Sequence, residues 1–216
     1  MGIYSTVPAA TLLDLAEILD EDFDSVATIF SFKGTGSLVG SAIVAVYMQL
    51  KPFSNKIDTL TIYGICQILC GIFTALLPMM TNLTMVSVMM WSGSVFYGIT
   101  DLALQAAVIE AWGPELSKPL VQAYHMLWSL GSFLGPYIVQ PFTNIDSDSS
   151  VCGNSTNEIT VTKVLALEAE VPSIFWPYLI CGGIFAISGV MLIVTGVTFA
   201  KKKIETKYSR FFTIKS

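Results

Sequence analysis

The chain is written as long apolar runs separated by short polar breaks. The runs lie at about 3–18, 28–50, 60–80, 85–109, 120–142 and 174–200. At a rise of about 1.5 Å per residue, some 20 apolar residues cross the ~30 Å hydrocarbon layer of a bilayer. The expected fold class is therefore an all-α membrane protein with six helices over residues 1–200. The first run is too short to cross and carries Pro8 and Asp14. It reads as the outer part of a spanning helix whose beginning is missing, a truncated first helix. It lacks the basic leader and small-residue cleavage site of a signal peptide.

The breaks differ in character. Asp14 to Asp24 is acidic, with Glu17, Asp20, Glu21 and Asp22 between. Lys51 to Lys56 is a basic turn around Pro52, and Thr81–Thr84 is a tight turn. Glu110–Pro119 holds Gly113-Pro114 and Lys118-Pro119, two helix-breaking pairs expected to separate the fourth and fifth helices. A polar loop covers 143–171, and a basic tail covers 201–216.

Composition sharpens this picture. Charged residues make up 12% and apolar ones 53%, whereas a soluble domain carries about 25% charged residues. The net charge of −5 hides an asymmetry. Placing the breaks after the second and fourth runs on one side with the tail gathers Lys51, Lys56, Lys118, Lys201, Lys202, Lys203, Lys207, Arg210 and Lys215 there. The opposite side keeps Lys163 and most of the acids. The positive-inside rule then expects a multi-pass plasma-membrane protein with a cytoplasmic tail and an extracellular loop at 143–171. Two glycosylation sequons, Asn82-Leu83-Thr84 and Asn154-Ser155-Thr156, fall on the outer side. Asn82 sits close to the bilayer, so Asn154 is the better acceptor.

Other classes drop out. No basic patch interleaved with aromatics exists to hold nucleic acid. Cys66, Cys70 and Cys181 lie in apolar runs and Cys152 in a polar loop, so no disulfide framework is expected. With a single histidine, neither a metal site nor a bound cofactor is expected. An enzyme would need chemistry this chain does not offer, such as a second intramembrane His or a G-x-S-x-G elbow.

Polar residues inside the runs carry the functional expectation, because an intramembrane charge is costly. Gly93, Tyr97, Asp101 and Gln105 recur every four residues and form one helix face. The fifth run offers Gln122, His125, Ser129 and Ser132. Counting in from the inner ends puts Asp101 roughly 12 Å deep and His125 roughly 8 Å deep. Asp101 and His125 are thus expected at one level, with Gln105 and Gln122 one turn nearer the cytoplasm. Asp101 also fits a purely structural hydrogen bond between helices. Lys33 is expected to snorkel to the outer surface or to pair with Asp14. Tyr124 and Trp128 fit either stacking on a sugar ring or packing. Trp91, Trp112 and Trp176 read as interfacial anchors. Gly36 and Gly40 give a G-x-x-x-G spacing that invites another helix, and Gly131 and Gly135 repeat it.

Several of these runs carry a resemblance. Val7-Pro8-Ala9-Ala10-Thr11-Leu12-Leu13-Asp14-Leu15 resembles the P-T-L-L-D-L end of the first helix in one branch of the major facilitator superfamily. That branch holds the sodium-dependent glucose transporters and the vertebrate domain-containing-protein-four group. Gly98-Ile99-Thr100-Asp101 resembles its fourth-helix pattern G-x-x-D-T-x-x-N. Gln122-Ala123-Tyr124-His125, followed by Gly131, Gly135 and Pro136, resembles its fifth-helix pattern Q-x-L-H-F. Cys152-Gly153-Asn154-Ser155-Thr156 resembles its glycosylated loop. Two departures stand out. Leu104-Gln105 replaces the fourth-helix Asn, and Met48-Gln49-Leu50-Lys51 replaces the acidic, arginine-rich signature between helices two and three.

The resemblance implies a transporter of two six-helix halves, each of two inverted three-helix repeats, with solute bound between them near the midplane. This chain then supplies the amino-terminal half and lacks its partner half. The expected activity is alternating-access transport of a small polar solute, a hexose such as glucose, coupled to sodium or protons. Asp101 would be the coupling carboxylate, with Gln105, Gln122, His125, Tyr97 and Trp128 around the solute or ion. A second reading is a truncated, non-transporting membrane protein that pairs with a full-length transporter and modulates it.

Overall fold

The computed structural model describes residues 2–50, 56–142 and 174–213, with side chains described within 2–49, 60–142 and 174–198. Among the described residues every regular element is helical. We label them α1 (Gly2–Ala10), α2 (Leu12–Leu19), α3 (Phe23–Ala27), α4 (Ile29–Leu50), α5 (Lys56–Leu76), α6 (Leu83–Val139) and α7 (Phe175–Thr213). Short 3-10 turns follow α5 at Leu77–Met79 and α6 at Gln140–Phe142. Four stretches are long and apolar enough to cross a membrane: Phe23–Gln49, Leu60–Met79, Leu83–Phe142 and Phe175–Thr198. The chain is an all-α membrane protein.

The first apolar run is two helices, not one. The chain bends at Thr11 (φ −104°, ψ 11°). The backbone stays paired through the bend, with Thr11 N–H on the Val7 carbonyl at 3.1 Å and Leu15 N–H on the Thr11 carbonyl at 2.9 Å. α2 stops where Asp20 turns left-handed (φ 51°, ψ 41°), and its N–H returns to carbonyls of the last turn. The Thr11 hydroxyl gives its proton to the Val7 carbonyl at 3.0 Å. It therefore accepts from Tyr178 Oη at 2.9 Å, which ties α1 to α7. Around this point Val7, Leu15, Val26, Ile29, Leu77, Val86, Val139 and Tyr178 form the largest apolar core.

The break expected over Glu110–Pro119 is narrower than the sequence implies. Helix continues on both sides, and the reversal is concentrated at Gly113 (φ 76°, ψ 167°). That conformation is open to glycine almost alone. Pro114 reinforces it by disfavouring helical geometry in the residue before it. The two arms of α6 fold back antiparallel: Asp101 meets Tyr124, and Tyr97 meets Trp128. α7 likewise runs on to Thr213, beyond the apolar stretch that ends at Thr198.

Glycines set the remaining contacts. A Cβ at Gly36 would stand 2.5 Å from the Trp91 carbonyl oxygen, and one at Gly40 would collide with the Val95 carbonyl. Gly98 lies in turn against the Ser37 carbonyl. α4 thus runs parallel to the first arm of α6, backbone against backbone. Gly131 approaches Gly2, and Gly135 abuts the Thr6 hydroxyl, which seats α1 on the second arm. On the far side α5 and α7 are antiparallel: Gly64 faces Gly189 and Gly71 faces Gly182. Such small-residue contacts replace the hydrophobic drive that lipid removes.

The loop 143–171 with Asn154 and Cys152, and the turn 51–55, lie outside the described residues. Asn82 is exposed at the start of α6, where its carbonyl accepts the Val86 N–H at 3.0 Å. Trp91, Trp112 and Trp176 are all exposed.

Candidate functional site

The polar stripe on the first arm of α6 faces the second arm and α1. At its amino-terminal end Tyr4 of α1, 2% exposed, shares a 2.9 Å hydrogen bond with Ser94. The Tyr4 ring stacks on Tyr97, with centroids 4.9 Å apart. The Trp128 indole N–H donates to Tyr97 Oη at 3.2 Å. One turn further along α6, Tyr124 Oη donates a short hydrogen bond to Asp101 Oδ1. Gln105 Nε2 donates to Asp101 Oδ2 at 3.2 Å. Both carboxyl oxygens are therefore held by neutral donors.

The aromatic groups matter for what this site can do. Tyr97, Trp128 and Tyr124 are half-buried, as are Asp101 and Gln105. They present ring surface and a carboxylate side by side. Rings offer an apolar face, while a carboxylate and an amide accept and donate to hydroxyls or coordinate a cation. Pockets that orient small polar molecules share this mixture.

The structure brings together Tyr97, Asp101, Gln105 and Trp128 of the expected set. It leaves Gln122 and His125 exposed. His125 touches the cluster only through Tyr124, whose ring it meets edge-on at 5.5 Å. Its carbonyl accepts from Ser129 at 3.0 Å. The hydrogen-bond partner of Asp101 on that arm is Tyr124. The reason is rotational: the contact stripe of the second arm runs Tyr124, Trp128, Gly131, Gly135, with Ser132 beside it on the Gly2 carbonyl at 3.4 Å, while Gln122, His125 and Ser129 are exposed. The polar spacing led to Gln122 and His125, whereas the side chains that meet the first arm are Tyr124 and Trp128.

Lys33 also departs from expectation. Its ammonium neither reaches the outer surface nor pairs with Asp14. It donates to the Tyr4 and Ser5 carbonyls, each at 3.1 Å, and lies 4.6 Å from the Tyr4 ring centroid. A second polar contact went unforeseen on the α5–α7 side, where Gln67 Nε2 donates to Ser188 Oγ at 3.1 Å.

Comparison with known proteins supplies a direction. The chain is 24% identical over 219 residues to sodium-dependent glucose transporter 1A of Mus musculus, across 97% of this chain and 49% of that protein. It is 25% identical over 213 residues to sodium-dependent glucose transporter 1 of Rattus norvegicus, across 94% of this chain and 42% of the relative. The Homo sapiens protein of that name is 27% identical over 146 residues, across 65% of this chain and 26% of its own length. The chain thus spans about half the length, or less, of the curated relatives it matches. These relatives carry the names of transporters, not of enzymes. No protein-family model matches the chain. No solved structure matches it either.

Proposed function

We propose that this chain is the amino-terminal six-helix half of a major facilitator superfamily transporter that moves a hexose such as glucose by alternating access. Asp101 is the coupling carboxylate, taking a sodium ion or a proton. The observation that carries this reading is Asp101 itself: a carboxylate within a spanning helix, held by Tyr124 and Gln105 beside the Tyr97–Trp128 pair. Similarity to proteins named sodium-dependent glucose transporters supports the solute class.

The proposed cycle follows from the hydrogen bonds. With Asp101 ionised, Tyr124 and Gln105 satisfy it and hold the two arms of α6 together. A sodium ion or proton arriving at Oδ1 competes with the Tyr124 hydroxyl. Released, Tyr124 can turn to a solute hydroxyl, with Tyr97 and Trp128 offering ring faces to the pyranose. The second six-helix half closes the site, the lysine-rich tail lies in the cytoplasm, and Asn154 carries the glycan.

The test is radiolabelled glucose uptake by cells expressing this chain joined to the second half of the rat relative, with surface expression verified. Uptake is expected to depend on sodium or pH and to lose that dependence in Asp101→Asn. Cation-coupled uptake that survives Asp101→Asn unchanged would refute the assignment. The 216-residue chain alone is expected to give no uptake in vesicles, since alternating access needs two halves to rock.

A further inference from the structure

A proline within a helix leaves the carbonyl four residues earlier without its N–H donor. In α1 the proline is Pro8, and the carbonyl is that of Tyr4. An unpaired carbonyl inside a bundle must find another partner. Here the partner comes from a different helix. The Lys33 ammonium of α4 donates to the Tyr4 and Ser5 carbonyls at 3.1 Å each, above the Tyr4 ring.

Three features make this more than a snorkelling lysine. Lys33 lies inside the Phe23–Gln49 span, five residues into the apolar run that begins near residue 28 and roughly 8 Å from the start of that run. Among the described residues no carboxylate pairs with it. Its direct partners are instead two oxygen dipoles and a π face, with the Cys181 and Cys70 thiols nearby; dipoles and ring faces receive a desolvated monovalent cation. We infer that the Tyr4 and Ser5 carbonyls, with the Tyr4 ring, form a site for a large monovalent cation, and that Lys33 occupies it as a tethered ammonium.

The chemistry selects the ligand class. The site carries no net charge of its own, which disfavours a divalent ion. Two carbonyls and a ring face also fall short of the roughly six to eight oxygen ligands of calcium and of the octahedral oxygen set of magnesium. An ammonium or a potassium ion suits neutral carbonyls and a ring face, with water completing the shell. By holding its own cation, the protein keeps α1 on α4 whatever the ionic composition outside. This site is distinct from Asp101 and does not depend on the transport reading.

The experiment uses the whole chain in zwitterionic lipid nanodiscs, in an Asp101→Asn background that removes the other cation candidate. Thermal midpoints are compared in potassium, sodium and N-methylglucamine chloride at equal ionic strength. The Asp101→Asn chain should melt alike in all three. Adding Lys33→Met should lower the midpoint in N-methylglucamine, and potassium should raise it again by about 2–4 °C. Pro8→Ala restores the N–H that caps the Tyr4 carbonyl, so the triple variant should lose the potassium response. Equal midpoints for Lys33→Met in potassium and N-methylglucamine would overturn the site, as would a response that survives Pro8→Ala. Failure of Lys33→Met to fold in every salt would overturn it equally, because restoring the cation has to restore the fold. The same increment is expected with Asp101 intact. An increment seen only with Asp101 would move the cation to that carboxylate and end this proposal.

Discussion

Tyr124→Phe is the substitution that isolates the contact between the two arms of α6. It removes one hydroxyl and keeps the ring, so packing against His125 and the first arm is preserved. What disappears is the hydrogen bond to Asp101 Oδ1, while Gln105 still holds Oδ2 at 3.2 Å. In soluble proteins a hydrogen bond to a charged group contributes about 1.5–3 kcal/mol. Double-mutant cycles within membranes average about 0.6 kcal/mol, with a maximum near 1.7. Asp101 is half-buried and its carboxyl oxygen is the acceptor, which places this bond toward the upper membrane value. A loss of about 1–2 kcal/mol is expected, a factor of roughly 5–30 in the folding equilibrium. Asp101→Leu should cost at least as much, since it strands both Tyr124 and Gln105. The double variant should cost less than the sum, because replacing both partners by apolar groups leaves fewer orphans. The assay is unfolding in mixed dodecyl sulfate and dodecylmaltoside micelles, followed by far-UV circular dichroism. Tyr47→Phe, at an exposed tyrosine, serves as the neutral control. A Tyr124→Phe chain within about 0.3 kcal/mol of wild type, or strict additivity with Asp101→Leu, would refute the coupling.

Two further substitutions test the backbone. Gly113→Ala meets no neighbour, since the added methyl would have nothing within 4 Å, yet φ 76° and ψ 167° should make it cost about 1–3 kcal/mol in the same micelle titration. Gly71→Ala gains about 1 kcal/mol of helix propensity but puts a methyl 2.6 Å from the Gly182 carbonyl, where overpacking costs about 1–3 kcal/mol. It should destabilise, while Gly183→Ala, with open space around it, should stabilise; the reverse ranking would contradict the α5–α7 packing.

Much of the architecture was legible because lipid demands it. Runs of some twenty apolar residues and the helix-breaking pair Gly113-Pro114 announce helices and a reversal with little ambiguity. Asp101 stood out for the same reason, as a charge where charge is expensive. Rotation about a helix axis was harder. On the second arm both candidate stripes mix polar and apolar residues, and lipid-facing, cavity-facing and helix-facing surfaces are all rich in apolar side chains. Choosing between His125 and Tyr124 needed the register across Gly113. Lys33 was misplaced because the carbonyl it caps is freed by Pro8, twenty-five residues away, a link visible only once α1 and α4 touch. The Gly64–Gly189 and Gly71–Gly182 contacts were missed because a seven-residue spacing on one helix does not say which other helix it meets.

The single reversal at Gly113 has a bearing on how such a chain tolerates changes in length. Tyr97 with Trp128, and Asp101 with Tyr124, are paired by counting outward from that hinge. An extra residue placed at the hinge lengthens the tip and leaves both pairs intact. The same residue inserted between Asp101 and Gly113 rotates everything beyond it by about 100° and unseats both pairs at once. Insertions and deletions in descendants of this sequence should therefore gather at the tip, with the arms kept free of them.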